Sequence, residues 1–250
     1  MKSETNWLRH LGGKGKLKMI CFPHSGGGSN AYRTWPTNLP PFIEVYGITL
    51  PGREYRFGEP LISELTKVVD GLFGELLSVT QSGTSIFFGH SLGAKIAFET
   101  IREMRRKNFR LPEYLFVSGN EAPQIPEDEI VHALPREEFI AKLKEYQGVS
   151  EEVFQEEELL EICIPIIRSD LKIGEMHVYQ DEAPLACPIS AFYGTDDTIE
   201  TDEIQAWAMQ TQVAFKMRVY PGGHFYLQEL QKRLLQDMLE DLSPLIQSLK

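Results

Sequence analysis

The stretch TSIFFGHSLG, Thr84–Gly93, passes from a run of β-forming residues directly into a serine framed by two glycines. Thr84–Phe88 is short and apolar, as expected of a strand covered on both faces, and from Ser91 to Lys107 the apolar residues Ile96, Ala97 and Ile101 return at helical spacing. Where a strand turns so sharply into a helix, the two backbones pass closely enough for a Cβ to collide, and glycines at 89 and 93 remove it. The hydroxyl of Ser91 is then held at the apex of the turn, beside a helix N-terminus. Either this is an ordinary glycine-rich turn or it presents a nucleophile.

The same alternation of short apolar runs and helical patterns extends outward along the chain. Strands are predicted at Leu17–Phe22, Glu44–Leu50, Thr84–Phe88, Tyr114–Ser118, Ile189–Tyr193 and Lys216–Tyr220. Their two-sided apolarity calls for a mostly parallel sheet flanked by helices, an α/β fold. Covering helices are predicted at Leu61–Leu77, Ser91–Lys107 and Tyr226–Leu249. Residues 125–179 interrupt the alternation with short amphipathic patterns at Pro135–Tyr146, Ser150–Glu161 and Cys163–Glu175, which read as a helical lid insertion over the sheet's C-terminal edge. No repeat or linker divides the 250 residues, so a single domain is expected.

Composition narrows the function classes. A formal net charge of −11 argues against a nucleic-acid partner. Cys21, Cys163 and Cys187 are widely spaced in apolar surroundings and read as free thiols of a reducing compartment. The N-terminal MKSETNWLRHLGGKGK has no apolar signal-peptide core, and no run reaches the length of a membrane span, so a cytoplasmic protein is expected. A monomer is expected separately. The run Gly12–Lys16 reads as a flexible lead-in. Neither it nor Gly26–Gly28 is followed by the G-K-[ST] of a phosphate loop, and no histidine or cysteine spacing fits a metal.

A serine hydroxyl needs a base to become nucleophilic. His224, behind two glycines in Tyr220-Pro221-Gly222-Gly223-His224, is the candidate, as it follows the last strand and precedes the last helix. The loop Gly194-Thr195-Asp196-Asp197 supplies carboxylates to orient that imidazole; Asp197 is preferred, with Asp196 left to cap the next helix or bind loop amides. The order Ser91, Asp197, His224 is that of an α/β-hydrolase. Donors for an oxyanion are the Leu92 backbone N–H and an N–H from the loop Phe22-Pro23-His24-Ser25-Gly26-Gly27-Gly28, in which His24 reads as structural.

Taken together, FPHSGGG, LPGRE (Leu50–Glu54) with Glu59-Pro60, GHSLGA, SGNEAP (Ser118–Pro123), GTDD and PGGHF resemble the type II thioesterases, stand-alone α/β-hydrolases associated with nonribosomal peptide and polyketide synthases. The resemblance spans Lys18–Phe225. It implies hydrolysis of acyl thioesters from the phosphopantetheine arm of acyl or peptidyl carrier protein domains, with no cofactor of the enzyme's own. It also implies Ser91 as nucleophile, His224 as base, Asp197 as orienting acid, and the N–H groups of Ser25 and Leu92 as oxyanion hole. Ser25 stands where the family often has alanine, and Asn120 where it often has arginine.

Rival readings share these residues: a carboxylester hydrolase, an acyltransferase, or, from another class, a non-catalytic module that binds carrier proteins. Leu134, Phe139, Leu143, Phe154 and Ile164 are expected to line an acyl-binding space under the insert. Arg102, Arg105, Arg106, Lys107 and Arg110 form either a docking patch for an acidic carrier or simply the solvated end of a helix.

Overall fold

The computed structural model describes residues 7–127, 129–146, 148–149 and 151–249. The first six residues of the N-terminal segment and Ser150, the expected start of the second insert helix, lie outside them.

Among the described residues seven strands form one sheet. In chain order they are β1 (Leu8–Gly12), β2 (Leu17–Phe22), β3 (Ile43–Ile48), β4 (Thr84–His90), β5 (Leu115–Ser118), β6 (Ile189–Gly194) and β7 (Phe215–Tyr220). The spatial order is β1-β3-β2-β4-β5-β6-β7. Only β1 runs antiparallel, against β3, and all other pairs are parallel. The six predicted strands are present, Leu17–Phe22 unchanged and the others shifted by one or two residues at one end or both. β1 was not anticipated: it is an edge strand whose Arg9 and His10 face solvent, so its sequence carries no buried alternation. The Gly12–Lys16 run is therefore not a lead-in but the connection from β1 to β2. A Cβ on Gly13 would lie 2.0 Å from the Ile43 carbonyl oxygen, so the link is packed against the chain.

Helices α1 (Leu65–Thr80) and α2 (Leu92–Arg106) cover one face, and the C-terminal segment covers the other. α1 begins later than predicted, at Leu65 rather than Leu61. Between β5 and β6 the chain runs through α3 (Arg136–Tyr146), α4 (Glu151–Gln155) and α5 (Glu157–Glu175). The expected break at residue 162 is absent, since α5 continues through Pro165. Proline there forgoes one helical hydrogen bond, but it faces solvent, as does Glu161 four residues earlier, so water can satisfy the freed carbonyl. Beyond β6 come α6 (Thr201–Gln205), then α7 (Tyr226–Glu229), α8 (Gln231–Asp241) and α9 (Ser243–Ser248). The single C-terminal helix expected is thus three, the last restarted with Pro244 in its first turn.

Val131, Phe139, Leu143, Leu160, Ile164 and Ile167 make a small apolar cluster inside the insert, separate from the two clusters flanking the sheet. Among the described residues no helix is long and apolar enough to cross a membrane. All three cysteines are free thiols.

Candidate active site

Ser91 sits at the bend between β4 and α2. Ser91 has φ +54° and ψ −127°, a backbone conformation that a side chain rarely adopts. Its N–H donates to the Ser118 carbonyl at 2.7 Å, and its own carbonyl accepts from Ala94, so the strained residue is held from both sides. A Cβ on Gly89 would fall 2.2 Å from the Gly93 carbonyl oxygen, and one on Gly93 would fall 2.0 Å from that of Phe22. Only glycine fits at either place.

β6 and β7 end beside this bend. Their loops bring Asp197 and His224 together, with His224 Nδ1 2.9 Å from Asp197 Oδ2. The Asp197 side chain is 2% exposed, and its other oxygen accepts from the Thr198 N–H at 2.8 Å. The geometry makes Nδ1–H the donor to the carboxylate, which leaves the lone pair on Nε2. Asp196 is exposed; its backbone N–H donates to Gly222 and its carboxylate accepts from the Thr195 hydroxyl. It does not cap α6, where the N-cap residue is Glu200, whose N–H donates to Glu203.

Ser91, Leu92, Ser25, Asp197 and His224 border one cavity of about 350 Å³. Leu92 is the first residue of α2, where an N–H has no partner within the helix. In the glycine-rich loop, Gly26 N–H donates to Asp170 and Gly27 N–H to the His24 carbonyl. Those two amides are spent, whereas Ser25 borders the cavity.

His24 also borders it. Its ring centroid lies 5.9 Å from that of His90, which in turn lies 5.0 Å from that of His224. Burial, then the positive charges of His224 and Arg53, push the His24 imidazole from its ordinary 6.5 down to about 4. Burial, followed by the charges of the other two imidazoles, also holds His90 well below its ordinary value. An imidazole whose folded pKa lies below its unfolded value contributes stability that is present in full above about pH 6.5. That contribution is lost as pH falls through the window down to about 4. The urea midpoint of the protein is therefore expected to drop between about pH 7 and about pH 5, and to drop less in His24→Gln. An equal drop in the variant would contradict this assignment.

The far wall of the cavity is more polar than the sequence led one to expect. Of the five insert residues expected there, only Leu143 lines it. Phe139 and Ile164 are consumed by the insert's own cluster, and Leu134 and Phe154 pack on its flank. Val131, Tyr146, Val149, Ile167 and Leu171 take their place. Lys95 of α2, 4% exposed, reaches the same wall and pairs there with Glu127 and, at 3.4 Å, with Glu121. Burial, and then the neighbouring Glu127 carboxylate, raise the Glu121 pKa. Lys95 was missed because a lysine inside an amphipathic helix ordinarily faces water. The Asn120 side-chain amide donates to the Glu121 carbonyl, and the Asn120 backbone carbonyl takes the Trp207 indole N–H.

The basic run at the end of α2 is paired with acids. Arg102 is 1% exposed and bonded to Glu99 and Glu182. Arg105 and Arg106 both pair with Glu182, Lys107 with Glu103, and Arg110 with Glu113.

With this geometry in hand, the likeness to known proteins is decisive. Residues 17–243 match the thioesterase domain model. The chain belongs to that family. This thioesterase is 38% identical over 229 residues to the gramicidin S biosynthesis protein GrsT of Aneurinibacillus migulanus, covering 91% of this chain and 89% of that one. It is 33% identical to thioesterase PikA5 of Streptomyces venezuelae, covering 94% and 85%. Among solved structures it resembles BorB, the type II thioesterase of the borrelidin biosynthetic cluster, with a TM-score of 0.85 and 33% identity over 97% of this chain and 99% of that one. The fold of this thioesterase is accordingly that of the α/β-hydrolases.

Proposed function

We propose that this thioesterase is of type II. It removes acyl or peptidyl groups held as thioesters on the phosphopantetheine arm of carrier protein domains, regenerating misprimed carriers in nonribosomal peptide or polyketide biosynthesis. The observation that carries the reading is the Asp197–His224 pair at 2.9 Å, opening on the same cavity as the strained Ser91.

In this scheme His224 Nε2 takes the proton of Ser91 Oγ as the oxygen attacks the thioester carbonyl. Negative charge develops on the former carbonyl oxygen, facing the N–H groups of Ser25 and Leu92. The carbon–sulfur bond breaks, and His224 returns the proton to the departing thiolate of the arm. Water then attacks the acyl-serine with His224 again as base, releasing a carboxylic acid and restoring Ser91. Asp197 holds the imidazole tautomer and stabilises the imidazolium in both halves. A thiolate leaves readily, so less help is needed than for an amide, and no metal or cofactor enters the scheme.

Residues 125–179 act as the lid of a single-domain enzyme, with Val131, Leu143 and Ile167 as apolar wall for the acyl chain. Carrier docking falls elsewhere than on the end of α2, whose cations are already paired. The test is kcat/KM for a short acyl group on a holo carrier protein against the same group as its p-nitrophenyl ester. A preference for the carrier thioester of about tenfold or more is expected. Preference for the free ester would favour the general esterase.

A further inference from the structure

Asp170 lies on the inward stripe of α5, between Ile167 and Ile173, and is 0% exposed. A carboxylate in such a place must have its oxygens bonded. Here the partners come from outside the insert. Oδ1 accepts from Arg53 Nη2 at 2.7 Å, and Oδ2 accepts from Arg53 Nη1 and from the Gly26 N–H at 2.7 Å. Arg53, itself 5% exposed, also donates to the Gly27 carbonyl at 3.1 Å. One buried ion pair thus grips the glycine-rich loop at two successive residues, by an amide and by a carbonyl.

The neighbouring residue of the LPGRE stretch holds the other end of that loop. Glu54, at φ +47°, accepts from the Ser29 hydroxyl at 2.6 Å and from the Asn30 N–H at 2.9 Å. α5 meets the loop a second time through Ile167, whose Cγ1 lies 2.9 Å from where a Cβ on Gly26 would stand. Ser25 directly precedes Gly26, and the His24 carbonyl, on the same peptide plane as the Ser25 N–H, accepts from the Gly27 N–H at 2.9 Å, so that N–H is held from both sides of the loop.

We propose that Arg53 and Asp170 are positioning residues for the oxyanion hole: their ion pair fixes the direction of the Ser25 N–H and ties it to α5. The inference rests on the reading of Ser25 as a donor given above. Against an apolar pair of equal volume, a buried ion pair is seldom a net gain in stability, whereas a two-pronged guanidinium–carboxylate contact fixes direction as well as distance. Its value here is geometric. Ile167 and Leu171 of the same helix line the cavity, so an acyl chain resting on α5 bears on the element that carries Asp170. The fit of the acyl chain is thereby coupled to the geometry that stabilises the transition state.

The test uses full-length enzyme and two variants, Asp170→Asn and the apolar pair Arg53→Met/Asp170→Leu, the second guarding against an unpaired buried charge. Three quantities are read for each: kcat and KM on an acyl carrier thioester, Ki for an alkyl trifluoromethyl ketone that forms an oxyanion on serine, and Ki for a thioether analogue that forms none. The expected result is kcat and ketone affinity both weaker by about 100-fold, with KM and thioether affinity within about threefold. Wild-type kcat and ketone affinity in the folded double variant would overturn the inference, as would a parallel loss in all quantities. Failure of wild type itself on the carrier thioester would instead count against the functional reading.

Discussion

Ser91→Ala is expected to lower kcat on an acyl carrier thioester by about 10⁴-fold to 10⁶-fold and to leave the fold intact. The size follows from the covalent route, which disappears with Oγ. The unchanged fold follows from the bend itself. Alanine keeps the Cβ, so the strain of φ +54° is neither added to nor relieved, and the N–H bond to Ser118 remains. His224→Ala should cost a similar factor. Because the two residues act as one unit, the double variant should be scarcely worse than either single one. Turnover assays beside thermal melts check both statements. Activity within tenfold of wild type in Ser91→Ala would return FFGHSLG to the status of a turn.

Asp197→Asn is expected to cost about 10⁴-fold in kcat, and Asp196→Asn no more than a few-fold. The carboxylate of Asp197, on a side chain 2% exposed, accepts the Nδ1 proton of His224 and a second bond from the Thr198 N–H. An amide there can turn its NH₂ toward Nδ1, which places the imidazole proton on Nε2, where the lone pair is needed. Asp196 faces solvent, and its carboxylate touches only the hydroxyl of its neighbour Thr195 among the described contacts. Kinetics of the two variants in one assay separate the aspartates; equal losses would contradict the assignment.

How much was legible follows the range of each interaction. The serine bend was readable because its requirements are local: a strand, two glycines and a helix start within one short stretch. The preference for Asp197 and His224 came from loops at strand ends, and the structure brings those same two side chains into contact. The clamp between Arg53 and Asp170 was not readable from spacing, since 117 residues separate its partners. A trace was nevertheless there. Asp170 falls on the apolar stripe Leu160, Ile164, Ile167, Ile173 of a helix, where an acid without a partner would not be tolerated.

Other misses have equally plain causes. The ion pairs at the end of α2 were not legible because Glu182 lies far along the chain from the arginines it pairs with. The insert residues expected under the acyl chain were chosen for size and apolarity. Yet an insert of that length must first close its own core, and Phe139 and Ile164 are used for that. The C-terminal helix reads as continuous by periodicity, and only Pro244 and the departure at Leu230 from helical backbone divide it.

In the proposed reaction Ser91 takes an acyl group from a carrier's arm and passes it to water. The most direct measurement is mass spectrometry of enzyme, carrier and released acid after mixing with a short-acyl holo carrier protein in ¹⁸O-labelled water. The expected result is deacylated carrier, acid bearing one ¹⁸O, and an acyl mass trapped at early times on the peptide that contains Ser91, all three absent in Ser91→Ala. Acid release undiminished in that variant, or a carrier left fully acylated by wild type, would contradict it.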